Sequence, residues 1–131
     1  MRLRTALLLA ILGLAAAAPA ARAQQEQGLP AVTDPLRPFK DIEVGRYYMK
    51  KGNVDAAIDR FLDATKLRPA YAVGWQCLAE AYEKKGEKEE AIKAYDEYLK
   101  ILPRGPESDK IRKRRDTIQR ELAREKKKSG K

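Results

Sequence analysis

From residue 35 onward the chain alternates apolar-periodic stretches with single glycines and prolines. Apolar residues return at helical spacing, so each stretch predicts a helix with one buried face. The predicted helices run over 35–51, 53–67, 70–85 and 87–101. Asp34-Pro35 is a helix start: the aspartate accepts unpaired amides and the proline fits the first turn. Gly52 and Gly86 can take the left-handed backbone that ends a helix, and Asn53 suits the next cap. Pro69 and Pro103 stand at the following breaks, where a proline inside a helix would cost ~3 kcal/mol. After the turn Arg104-Gly105-Pro106, Ile111, Ile118 and Leu122 recur at i, i+7 and i+11. This narrow stripe predicts a fifth helix over 106–126, apolar on one face only, with a frayed basic tail at 127–131.

The first four helices form a repeat. Residues 40–69 set over 74–103, a shift of 34, match at eight positions, including Tyr48/Tyr82, Gly52/Gly86, Ala57/Ala91 and Pro69/Pro103. Chance gives roughly two at ordinary residue frequencies. Val44/Leu78, Gly45/Ala79 and Phe61/Tyr95 are conservative pairs in the same frame. Each unit is therefore a helical hairpin, with small residues where its helices cross and aromatic ones filling the space beside them.

Trp75-x-x-Leu78-Ala79-x-x-Tyr82, then Ala91-x-x-x-Tyr95 and Pro103, resembles the tetratricopeptide repeat pattern. The earlier unit follows it through Val44, Gly45, Tyr48, Ala57, Phe61, Ala64 and Pro69, with Asp41 standing where tryptophan is expected. Tyr98 replaces an expected small residue. The resemblance implies an all-α fold: a short solenoid of two hairpins, 38–71 and 72–105, closed by the capping helix. It also implies a concave groove lined by the first helix of each hairpin. Phe39, Ile42, Arg46, Met49 and Lys50 would face it from repeat one, and Val73, Gln76, Glu80, Glu83 and Lys84 from repeat two. The occupant of such a groove is a protein or peptide, a second copy of the chain included. Some adaptors of the family clamp a terminal carboxylate with Lys and Asn; Ile42, Arg46 and Cys77 stand at the matching positions, so that ligand does not carry over. The segment 47–61 bears a weaker likeness to bacterial envelope repeat proteins, including those of outer-membrane assembly.

The start of the chain belongs to a different class. Arg2 and Arg4 precede an uncharged apolar run over residues 6–18, and Pro19 and Ala21-Arg22-Ala23 follow. This is the layout of a secretory signal peptide, 1–23, and it predicts export with cleavage between Ala23 and Gln24. The alternative is an uncleaved anchor, although a spanning helix needs about 20 apolar residues. No cysteine stands at the cleavage point to take a lipid, so the expected product is a soluble periplasmic or secreted chain without an integral membrane segment. Residues 24–34 form a polar, flexible leader. The single Cys77 excludes an internal disulfide, so stability rests on helix packing.

Charge and chemistry then narrow the function. The net charge of +9 is uneven: residues 104–131 hold 12 Lys and Arg against 5 acids, whereas 24–103 hold 13 against 14. A basic patch of Arg112, Lys113, Arg115, Arg120 and Arg124 could hold anionic membrane or cell-wall polymers by peripheral contact; the competing reading is a solvated capping helix. No aromatic residue follows Tyr98, and export is expected, so nucleic acid is not the expected partner. The chain has no histidine, which removes the commonest general base and most zinc sites. Cys77 has no imidazole to activate it, and Glu80, Glu83, Glu87, Glu89 and Glu90 are interleaved with lysines as on a solvated surface. The expectation is a non-catalytic binding module without metal or cofactor. Charge-driven binding through the last helix is the alternative.

Overall fold

A computed structural model describes residues 34–130. The expected signal peptide and most of the leader lie outside the described residues. The regular elements among the described residues are all helices: α1 Arg37–Lys50, α2 Val54–Leu67, α3 Ala72–Lys85, α4 Lys88–Ile101 and α5 Pro106–Ser129. The helices pair as α1 with α2 and α3 with α4; α2 joins the hairpins through α3, and α5 lies on α4.

The helix ends follow from local chemistry. Gly52 and Gly86 sit at φ +76° and +85°, the left-handed conformation that turns each hairpin. The Asn53 side chain accepts the Ala56 amide at 3.2 Å and starts α2. Three boundaries differ from the sequence pattern. Asp34 does not cap α1 directly: its carboxylate accepts the Leu36 amide at 2.9 Å, forming a turn before the helix begins at Arg37. Helix α3 begins at Ala72, because Arg68–Tyr71 close a separate turn braced by Trp75, whose indole N–H donates to the Pro69 carbonyl at 2.8 Å. Helix α5 continues to Ser129, and residues 127–129 are helical rather than frayed.

The core is a column of small and aromatic side chains. Ala57, Ala79, Ala81 and Ala91 are fully enclosed, and Phe61, Tyr95 and Tyr98 fill the space between helices. Gly45 lets Phe61 approach the α1 backbone. Asp41, at the tryptophan position of repeat one, is buried and held by Arg60 at 3.4 Å and Arg37 at 3.6 Å. Burying a carboxylate without such cations would be prohibitive. The cap closes through Ile111 and Ile118, both buried, and through Ser108, whose hydroxyl donates to the Leu102 carbonyl at 2.7 Å.

The two repeats differ at equivalent positions. Leu78 and Ala81 of repeat two are 2% and 0% exposed, whereas Val44 and Tyr47, 34 positions earlier, are 37% and 57% exposed. Repeat one covers that face of α3. Among the described residues nothing covers the same face of α1.

Candidate protein-binding face and basic helix

The first helices α1 and α3 touch, so the residues expected to line a groove fall on neighbouring helices. They do not form one open surface. Ile42 is only 4% exposed and belongs to the core; its Cδ1 reaches the space beside Gly74, which has no side chain to obstruct it. This corrects the expectation that Ile42 faces the groove: the seam between the repeats closes over it. Met49 and Val73 are half-buried against the same core. Phe39 packs edge-on against Tyr71 with ring centres 5.1 Å apart, and the Arg68 guanidinium covers both rings.

Glu83 is also engaged within the fold. Its carboxylate accepts the Tyr95 hydroxyl at 2.5 Å and both the Nε and a terminal nitrogen of Arg114 on α5. Burial, and then this hydrogen bond, push the Tyr95 hydroxyl far above the ordinary tyrosine range. Glu83 therefore fastens the cap, and its expected place in an open groove is corrected accordingly. Gln76 donates to Glu80 at 3.1 Å and reaches Glu107 at 3.4 Å, so the first turn of α5 borders the face.

Arg46, Lys50, Glu80 and Lys84 remain exposed on α1 and α3. None forms an ion pair among the described residues. Cys77 lies buried beneath them; burial raises its thiol pKa, and the neighbouring Arg46 guanidinium opposes that rise. Such a thiol stays protonated near neutral pH and is a poor nucleophile.

The basic residues of α5 separate into two groups. Arg112 binds Asp109 at 2.8 Å and the Pro103 carbonyl, and Arg115 binds Asp96 at 2.8 Å and Asp116 at 2.9 Å. These two expected members of an anion patch are already neutralised. They border an open cleft of about 500 Å³ with Lys93, Asp96 and Lys100 of α4. Lys93 and Lys100 are likewise paired, with Glu90 and Glu97, so the cleft offers no unneutralised cation. Lys113, Arg120 and Arg124 instead point to solvent. Among the described residues no group of three His, Cys, Asp or Glu side chains is placed to hold a metal ion. No helix among them is long and apolar enough to cross a membrane.

Comparison with known proteins agrees with this architecture. Residues 44–106 match the family model described as tetratricopeptide repeat. Over that segment the chain has the paired-helix fold of a tetratricopeptide-repeat array. The chain is also similar to the tetratricopeptide repeat domain-containing protein PYG7, chloroplastic, of Arabidopsis thaliana, at 36% identity over 75 residues. The match covers 57% of this chain but only 24% of that relative. The match to a repeat family agrees with a protein-interaction module, built here from the hairpins α1–α2 and α3–α4.

Sequence reasoning missed the roles of Asp41, Glu83 and Arg114. A lone acid at a tryptophan position was the signal for the first. Nothing local pairs Glu83 with a residue 31 positions away.

Proposed function

We propose that this chain is a non-catalytic adaptor that binds a charged peptide or protein segment across α1 and α3. One observation carries the reading: among the described residues Arg46, Lys50, Glu80 and Lys84 are exposed on the two helices and form no ion pair, whereas Glu83 on α3 is consumed internally by Arg114. A polar face of mixed charge selects its ligand by charge pattern more than by apolar area. The bound segment would present acids toward Arg46 and Lys50 and a base toward Glu80.

The same reading places the chain outside the cytoplasm, in the periplasm or beyond it, on the strength of the N-terminal charge, apolar run and Ala-x-Ala ending. Intact-mass measurement of the native protein is expected to show loss of residues 1–23; a retained N-terminus on most molecules would refute export with cleavage.

For binding, the native partner is captured from envelope extract with the wild-type chain and with Arg46→Glu combined with Lys50→Glu. The variant is expected to keep its melting temperature and lose the captured species. Equal capture by both chains would show that this face is not the site.

A further inference from the structure

The cations of α5 are sorted by helix face. Toward the repeats, Arg114 meets Glu83, Arg115 meets Asp96, and Lys126 meets Glu89 at 3.5 Å. From α4, Lys88 reaches back to Glu121 and Glu125. On the other side Lys113, Arg120, Arg124 and Lys127 follow at intervals of 7, 4 and 3. At 3.6 residues per turn they fall within about 60° of one line, and the row is about 21 Å long at 1.5 Å per residue. Burial of Ile111 and Ile118 fixes the rotation of α5, and that line lies opposite them.

All four cations are exposed, and none forms an ion pair among the described residues. Arg120 donates only to the Thr117 hydroxyl, at 3.1 Å. The acids along α5 beside the row are already engaged, Asp109 by Arg112, Asp116 by Arg115, and Glu121 and Glu125 by Lys88. The row carries no aromatic or large aliphatic side chain, so it can neither stack on bases nor insert into acyl chains. What it offers is a straight line of fixed positive charge on a helix held rigid from behind.

We propose that this row is a peripheral contact for the anionic phosphate headgroups of a phospholipid bilayer. A plane of negative charges meets a straight cationic row along its whole length, and each surface Lys or Arg strengthens adsorption about fivefold. A bilayer is favoured over a soluble polymer because residues 1–23 have the composition of a membrane-directed segment, which brings the chain to a membrane whether cleaved or retained. This contact is separate from the α1–α3 face and does not rest on it.

The test uses the full chain and sedimentation with two kinds of vesicle: phosphatidylcholine alone, and phosphatidylcholine with about 30% phosphatidylglycerol. The wild type is expected to prefer the anionic vesicles and to lose that preference as salt rises from about 0.05 to 0.5 M. Changing Lys113, Arg120, Arg124 and Lys127 together to Gln is expected to weaken anionic binding by at least about tenfold. The melting temperature and binding to neutral vesicles should not change, because the N-terminal segment is the same in both chains. A charge-matched control, with Lys40, Lys51, Lys66 and Lys93 changed to Gln, is expected to retain anionic binding. Equal loss in that control would assign the effect to net charge and overturn the proposal. So would an unchanged quadruple variant, or capture of a soluble sulfated polysaccharide without preference between the vesicles.

Discussion

The ring of Phe61 lies against the backbone of Gly45, where a β-carbon would come 2.8 Å from Cδ1 and 2.9 Å from Cζ of the ring. The hairpin of repeat one is thus closed by contact between an aromatic ring and a bare helix backbone. Gly45→Ala gains about 1 kcal/mol of helix propensity but must displace a buried ring, at a cost of ~1–3 kcal/mol. Net destabilisation is expected in urea melts. Phe61→Leu in the same chain should recover part of it, as a double-mutant cycle would show. Gly74→Ala is the milder comparison: its β-carbon would meet the Thr65 methyl at 3.3 Å and Ile42 Cδ1 at 3.8 Å, and a smaller loss than for Gly45→Ala is expected.

Ile42 and Arg46 stand one helical turn apart and are expected to separate core from surface. Ile42→Ala should cost ~2–5 kcal/mol, because it opens a cavity beneath the seam between repeats. Arg46→Ala should stay within about 0.5 kcal/mol while weakening partner capture. Thermal melts of the two single variants, with capture measured below both transitions, distinguish the two roles.

Alkaline pH should unfold the protein. Burial and the bond to Glu83 raise the Tyr95 pKa, burial raises that of Tyr82, and acidic partners raise those of Lys85 and Lys88. In each case the folded chain holds a proton that the unfolded chain releases near pH 10. Stability from these groups is therefore complete below about pH 10 and declines as pH rises past it. Urea midpoints measured from about pH 8 to 12 should fall over that range, and Tyr95→Phe should make the fall shallower.

Arg114→Met tests the fastening of the cap. The partner carboxylate of Glu83 is 17% exposed, whereas Arg114 is 52% exposed, so solvent screening discounts the pair. A loss of about 1 kcal/mol is expected, with faster amide exchange along α5 than along α3.

Cys77 is expected to react slowly with a thiol reagent in the folded chain and rapidly in denaturant. Fast labelling under native conditions would show that the seam between the repeats opens.

The hairpins were legible in the sequence because their markers are local. Gly52 and Gly86 need a positive φ, and Ala57 and Ala91 permit close helix crossing wherever they occur at that spacing. The site was less legible because its residues are defined by neighbours distant in sequence. Ile42 sits at a position assigned to the groove, yet Gly74 on the next helix makes room for it inside. Glu83 looked like one of several surface acids until Arg114 and Tyr95 met it. The lysine-rich end of α5 lacks apolar residues to mark it as helix, and Lys126 with Glu89 and Glu125 with Lys88 tie its last turns to α4.

Val44 and Tyr47 show what repeat two would look like without repeat one, while α5 covers the far side of α4. The stack therefore has two unlike ends and one uniform joint. A hairpin duplicated into the turn at Arg68–Tyr71 would meet, on each side, a surface that already fits its own. A hairpin added after Ile101 would have to displace α5 and break its bond to Glu83. Lengthening of such a protein in evolution would accordingly proceed from the middle, leaving both ends and whatever they touch unchanged.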